Sequence, residues 1–431
     1  RWVGEAFGKK WGFLAIWLQW IESTIWFPTV LTFAAVSLAF MGPGQRWDEA
    51  LAANKWYVLI VVLCVYWAAT LLNLRGMKTS AGVTKWGTII GTIIPGAILI
   101  LLGLGYWAGG NPILLDMSWD KLVPDMSNFN NLVLAASIFL FYAGMEMSAV
   151  HVKDVNNPGR NYPLAILISA IITVLIFVLG TLAIGFIIPN SQINLVQSLL
   201  ITYDSYFSFF GLGWMNWILA LALAVGVLAQ VTAWVGGPSK GLYQVGLAGN
   251  LPPVMQKRNK NNVQMGILLI QGGIVTLLSI MFVIMPSVQS AYQIISQLTI
   301  ILYLIMYMLM FASGIYLRYR EPNTPRTFRI PGGRTFGMWV VGGLGLLASL
   351  AAFLVSFIPP NQITVGSSTM YVLLLVVGTF IFAGIPFIIH AMAKPSWKRP
   401  VDPEDAFEPF GWEKSNGSHS AATPSHSISH E

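Results

Sequence analysis

An all-α integral membrane protein is the fold class this sequence predicts, on three observations. Hydrophobic residues make up 55% of the 431 residues and charged residues only 10%, whereas a soluble domain carries about 25% charged residues. The apolar residues fall into runs that each approach the roughly 20 residues a spanning helix needs. These runs are too many and too long to form one buried core. Finally, the basic residues gather in alternate connections between the runs.

Ten spans follow, at roughly Trp11–Met41, Tyr57–Leu74, Trp86–Trp107, Leu132–Val150, Leu164–Ile188, Trp214–Val235, Met265–Met285, Ile294–Leu317, Phe336–Ile358 and Tyr371–Met392. With an even number of spans both chain ends share one side of the membrane. That side then holds 21 of the 24 basic residues, and the opposite side only Arg46, Lys55 and Lys121. Basic residues select the cytoplasmic side, so both ends are expected there. Asp116, Asp120, Asp125 and Asp204 lie opposite.

The same distribution removes nucleic acid as an explanation of the +7 net charge, because short basic loops beside spans meet anionic lipid instead. Membrane lipid is therefore an expected partner. The single cysteine, Cys64, allows no disulfide framework. There is no GxxxxGK[ST] loop, no HExxH and no CxxC pair, so neither a metal nor another cofactor is expected. An enzyme built on intramembrane carboxylates would need a nucleophile or metal that the spans do not offer.

The spans differ in what they carry. In the first, Gln19 and Glu22 share a helical face, flanked by Trp17, Trp20 and Trp26, and that stripe lines a cavity or glues helices together. Pro28 and Pro95 are expected to mark kinks. Gly87 and Gly91 in the third span form a GxxxG pair, the signature of close helix packing.

The fourth span is the most informative. Tyr142-Ala-Gly-Met-Glu146 puts a carboxylate and a flexible glycine inside an apolar stretch. Backbone breaks at that depth are tolerated only around a cavity, and an ionisable residue there is a functional candidate. The amides freed by a break at Gly144 suit a substrate carboxylate. The alternative is a protonated Glu146 pinning two helices. Gln230 of the sixth span contacts substrate or bridges helices, and Tyr303 and Tyr307, one turn apart in the eighth, gate or wall a cavity.

Residues 1–393 thus read as the transmembrane domain and 394–431 as a cytoplasmic, disordered tail. The stretch from Lys414 is rich in Ser and Asn and carries His419, His426 and His430, with little apolar content to fold it. The chain opens on Arg1 without a methionine, and it reads as part of something longer.

These motifs resemble a known family. Phe141–Glu146, Asp154, Asn157-Pro-Gly-Arg160 and Pro163 look like a signature of the amino acid–polyamine–organocation (APC) superfamily. His151–Pro163, Gly226-Val-Leu-Ala, Gly237–Tyr243, Arg326–Gly333 and Phe353–Pro360 resemble its glutamate/GABA antiporter branch. The resemblance runs from about Gly4 to the end of the last span.

It implies a LeuT-like inverted-repeat fold of twelve helices around a midplane site, with the ten spans here as helices three to twelve. It also implies substrate binding by Tyr142, Ala143, Gly144, Met145 and Glu146, with Gln230 lining the pocket and Tyr303 and Tyr307 gating it; Glu22 joins them as a cavity candidate. The implied activity is antiport of glutamate-type amino acids, glutamate against GABA, at the bacterial inner membrane, with protons as a candidate coupling ion. Gln230 departs from the branch, which carries an acid there, and the tail departs from the folded plug of acid-resistance members. A proton-coupled permease for neutral amino acids and a non-transporting sensor or inert fragment are the alternatives. Oligomeric state is left open.

Overall fold

The structure is a computed structural model describing residues 1–42, 44–118, 131, 133, 135, 138, 143–146, 155–326, 328, 330–333, 335–360, 365–399, 410 and 411. Among them every regular element is helical. In chain order these are α1 (Trp2–Phe7), α2 (Lys9–Ala39), α3 (Gln45–Ala52), α4 (Lys55–Leu74), α5 (Met77–Thr88), α6 (Ile94–Ala108), α7 (Pro158–Ile187), α8 (Ser198–Phe209), α9 (Asn216–Val245), α10 (Met265–Ser279), α11 (Met281–Ile284), α12 (Val288–Arg320), α13 (Leu344–Val355) and α14 (Ser368–Met392).

Nine helical stretches among the described residues are long and apolar enough to cross a membrane. They coincide with nine of the ten expected spans. The remaining one, Leu132–Val150, lies largely outside the described residues, and so does Tyr142.

Local chemistry sets the helix ends. The Asn54 side chain accepts from the amides of Trp56 and Tyr57 at 3.0 and 3.1 Å, satisfying donors that the first turn of α4 leaves unpaired. Ser287 caps α12 through the Ser290 amide in the same way, and Ser367 caps α14 through Met370. Pro158 occupies the first turn of α7, where its missing N–H costs nothing. Pro95 follows a wide π-turn over Ile89–Ile93 that joins α5 to α6, the usual origin of such a bend. α2, by contrast, is helical straight through Pro28.

α2 is the axis of the fold. Apolar residues are buried on all its sides, as expected of a helix enclosed by others, and it packs against α4, α9, α10, α12 and α14. Its tryptophan N–H groups are satisfied across helices: Trp20 donates to Gln271 Oε1 at 2.7 Å and Trp17 to the Phe382 carbonyl at 2.9 Å. The glycine pair of the third span does pack closely. A Cβ on Gly87 would stand 2.2 Å from the Ala229 Cβ, and one on Gly91 2.2 Å from the Gly226 Cα, so α9 crosses here with backbones nearly touching. At the other extreme, α7 turns Leu167, Ile171 and Leu175 outward, where hydrocarbon rather than protein surrounds them.

α8 was not anticipated from hydropathy, being short and bearing Asp204 mid-helix. Asn216 donates to the Asp204 carboxylate, and Gln197, just before α8, donates to the Glu49 carbonyl of α3 at 3.3 Å. Burial pushes Asp48 above the usual carboxylate range, with the charges of Asp204 and Glu49 adding to it. Burial raises Asp204 as well, against the Asn216 hydrogen bond, which lowers it. An acid raised in the folded state contributes stability that is complete below its unfolded pKa, about 4. That contribution is lost as pH rises through the folded value. The α3–α8 contact should therefore exchange its amide hydrogens more slowly in acid than at neutrality, after correction for intrinsic rates. Asp48→Asn with Asp204→Asn should flatten the difference. A contact that tightens as pH rises would overturn the assignment.

In the segment beyond 393, Pro395–Trp397 forms a 3-10 turn whose Trp397 carbonyl accepts from Gln256 at 2.9 Å. Phe410 sits against Gly4, and the Gly411 amide donates to Glu5 at 2.9 Å. These residues are therefore folded onto the helices. The expectation for Lys414–Glu431, with its histidines, lies outside the described residues.

Candidate functional site

The break expected at Gly144 is present in the backbone. Ala143 and Gly144 form a turn and Met145 and Glu146 a single 3-10 turn. Gly144 has φ of +101°, a conformation that costs glycine little and other residues much. The edge of the Trp234 ring lies where a Cβ would be, with Cζ2 at 2.9 Å. Glycine is thus required twice here, for its backbone and for its lack of a side chain.

Glu146 holds this break closed. Its Oε2 accepts the Gly144 N–H at 3.2 Å and the Tyr307 hydroxyl at 2.8 Å, while Oε1 accepts the Tyr303 hydroxyl. Three donors converging on one carboxylate match its acceptor-only character. The two tyrosines lie one turn apart on α12 with rings stacked at 4.7 Å between centroids. Glu146 therefore ties the broken segment to α12, in the manner of the helix-pinning alternative. Of the amides expected to greet a substrate carboxylate, that of Gly144 is already occupied by Glu146.

A cavity of about 370 Å³ lies beside the break, lined by Glu22, Trp26, Ala143, Gln230, Trp234 and Tyr303 among others. Its volume is in the range of small-molecule pockets, about 300–1,000 Å³. Seven elements contribute to it: α2, the broken segment, the α5–α6 junction, α7, α8, α9 and α12. A second, mainly apolar cavity of about 630 Å³ is lined by Met145, Glu146, Tyr307 and Phe311. The Glu146–tyrosine cluster stands between the two, with Tyr303 on one wall and Tyr307 and Glu146 on the other. Among the described residues neither cavity is lined by Lys, Arg or His.

The candidates thus divide. Glu22, Ala143, Gln230 and Tyr303 meet at the smaller cavity, whereas Met145, Glu146 and Tyr307 line the larger one. Gly144 lies at the junction, and Tyr142 is outside the described residues. Gln230 is exposed to the cavity, and its amide makes no hydrogen bond to another described residue, so it bridges no helices among them. Of the Gln19–Glu22 stripe only Glu22 lines the cavity.

The sequence reading passed over Trp234 and Tyr292. Trp234 was findable: Gly226, Gln230 and Trp234 recur every fourth residue on α9, one face of a helix. Extending the Glu22 stripe along α2 through Trp26, Val30 and Phe33 likewise traces the opposite wall.

Comparison with known proteins identifies this architecture. The amino acid permease family matches residues 1–382. The chain belongs to that family. It is thus a transporter of the APC superfamily, and its work is translocation rather than catalysis. An uncharacterized transporter of Legionella pneumophila is 38% identical over 387 residues, covering 90% of this chain and 82% of that protein. A glutamate/gamma-aminobutyrate antiporter of Lactococcus lactis is 32% identical over 394 residues, covering 91% of this chain and 77% of that one. A probable agmatine/putrescine antiporter of Lactococcus lactis shares 23% identity over 335 residues. The permease assignment carries with it a multi-pass membrane location and a small-molecule substrate that is an amino acid or a related compound.

Proposed function

We propose that this permease exchanges glutamate-type amino acids, glutamate against GABA, by alternating access. The basic-rich face is cytoplasmic and the membrane is the plasma (inner) membrane of a bacterium. The observation that carries the proposal is the glycine break at the wall of a cavity, latched by Glu146 to two tyrosines of α12. Similarity over nine-tenths of the chain to a glutamate/gamma-aminobutyrate antiporter supports the substrate pair.

The latch suggests how binding couples to movement. A substrate carboxylate seeking the amides of the break competes with Glu146 for the Gly144 N–H. Displacing that contact weakens the tie to Tyr303 and Tyr307 and frees the broken segment to move against α12. Opening is thus favoured by ligand, as alternating access demands. The open amide of Gln230 meets the far end of the substrate.

Counterflow in proteoliposomes tests this. Labelled GABA should enter vesicles loaded with glutamate and stay out of empty ones. Gln230→Ala should raise KM about tenfold, the loss of about one hydrogen bond to a polar ligand group. The uncharged Gln230 favours one second reading, proton-coupled import of neutral amino acids. Uptake of alanine or glutamine into empty vesicles, driven by an imposed proton gradient, would establish that reading and displace exchange.

A further inference from the structure

Glu22 sits near the middle of α2 and is 3% exposed. Its Oε1 is buried with no hydrogen-bond partner among the described residues. The side chain lines the 370 Å³ cavity, where no described Lys, Arg or His offsets it, and the charge on Glu146 repels its own. The Ser23 backbone amide donates to the carboxylate, but a buried carboxylate with an oxygen left unpaired is a costly arrangement for a protein to hold. It is settled by a proton or by a cation, and among the described residues this cavity supplies no cation of its own.

The surrounding groups indicate which cation fits. Trp26 lies one turn beyond Glu22 on α2, and its ring centroid is 5.7 Å from that of Trp234. Tyr303 lines the same space. Aromatic faces beside an unpartnered carboxylate oxygen form a receptor for an ammonium group, which gains from both. An amino acid brings one.

We infer that Glu22 is the acceptor for the substrate's ammonium group, and that a proton and that ammonium compete for its carboxylate. This deepens the proposed function and rests on its reading of the cavity as the amino-acid site. The empty carrier holds Glu22 protonated. Entry of the ammonium displaces the proton to solvent, and departure of the substrate takes a proton back. The other titratable groups facing this position are Glu146 from the broken segment and Tyr303 and Tyr292 from α12. α9, α7 and the α5–α6 junction present Gln230, Trp234, Phe177 and Thr92, none of which titrates.

The test is proton release on binding, read with a pH dye on detergent-purified protein in weak buffer. Probes are the twenty protein amino acids, GABA, and glutarate, which is glutamate without its amine. Wild type should release about one proton per bound amino acid, and glutarate should release none. E22Q should release none with any probe and bind amino acids roughly tenfold or more weakly near neutrality. Its affinity should not follow pH, whereas wild type should weaken as pH falls.

E22D should keep proton release at reduced affinity, which separates a lost acceptor from a damaged fold. Unchanged release by E22Q, or none by wild type, overturns the inference. If glutamate and GABA bind and exchange but release does not depend on Glu22, this inference alone fails. If another amino acid binds with Glu22-dependent release while glutamate and GABA do not, the substrate pair alone fails.

Discussion

Gly144→Ala is expected to reduce exchange by about two orders of magnitude or more. The substitution places a side chain at φ of +101°, a strain of about 1–3 kcal/mol. Its methyl would also stand 2.9 and 3.0 Å from Cζ2 and Cη2 of Trp234, well inside van der Waals contact. The indole is the softer partner, so it moves, and it moves into the cavity it lines. Both effects fall on the same transport step. Counterflow measures the loss, and the double variant Gly144→Ala with Trp234→Phe sorts the causes. Relief of the steric part should restore substrate affinity while the rate stays low, because backbone strain remains. Wild-type exchange by Gly144→Ala would sink the argument that this break must be left-handed.

Glu146→Gln comes next in size, with exchange about one to two orders of magnitude slower and the folded state destabilised by about 1–3 kcal/mol. A carboxylate accepts from three converging donors at once. The amide that replaces it keeps one acceptor oxygen and turns an NH2 group toward one of those donors. At least one of the Tyr303 hydroxyl, Tyr307 hydroxyl and Gly144 N–H is then left unmatched in a half-buried site, which costs about that much. Thermal unfolding followed by tryptophan fluorescence reads the stability, and counterflow the rate. Tyr307→Phe removes one donor and leaves the acceptor intact, so its effect should be the smaller. A Glu146→Gln protein with unchanged melting and exchange would show that the latch is not a latch.

Much of this molecule is legible along the chain. The nine described spans follow from apolar runs of sufficient length, because a segment in hydrocarbon must satisfy its own backbone and has few ways to do so. The break at Gly144 follows from a glycine beside a carboxylate inside such a run. The close crossing at Gly87 and Gly91 follows from their spacing, although the partner, Gly226 and Ala229 on α9, does not. α8 escaped notice because its 12 residues are too short for a span and Asp204 interrupts their hydropathy.

Which residues meet is another matter. Gln19 and Glu22 share a face in the sequence, yet only Glu22 opens on the cavity, because the rotation of α2 is set by five helices packed around it. Glu146 finds its partners 157 and 161 residues away, and no periodicity connects them. The sequence by itself determined the class of the protein, its spans, its sidedness as an expectation and the presence of a costly break, since each of these is local or additive along the chain. The tertiary structure alone decided that the break is latched by α12, that Gly144 is already occupied by Glu146, and that Glu22 Oε1 is left without a partner among the described residues. Those outcomes depend on where separate helices place their side chains, and packing, rather than composition, sets those positions.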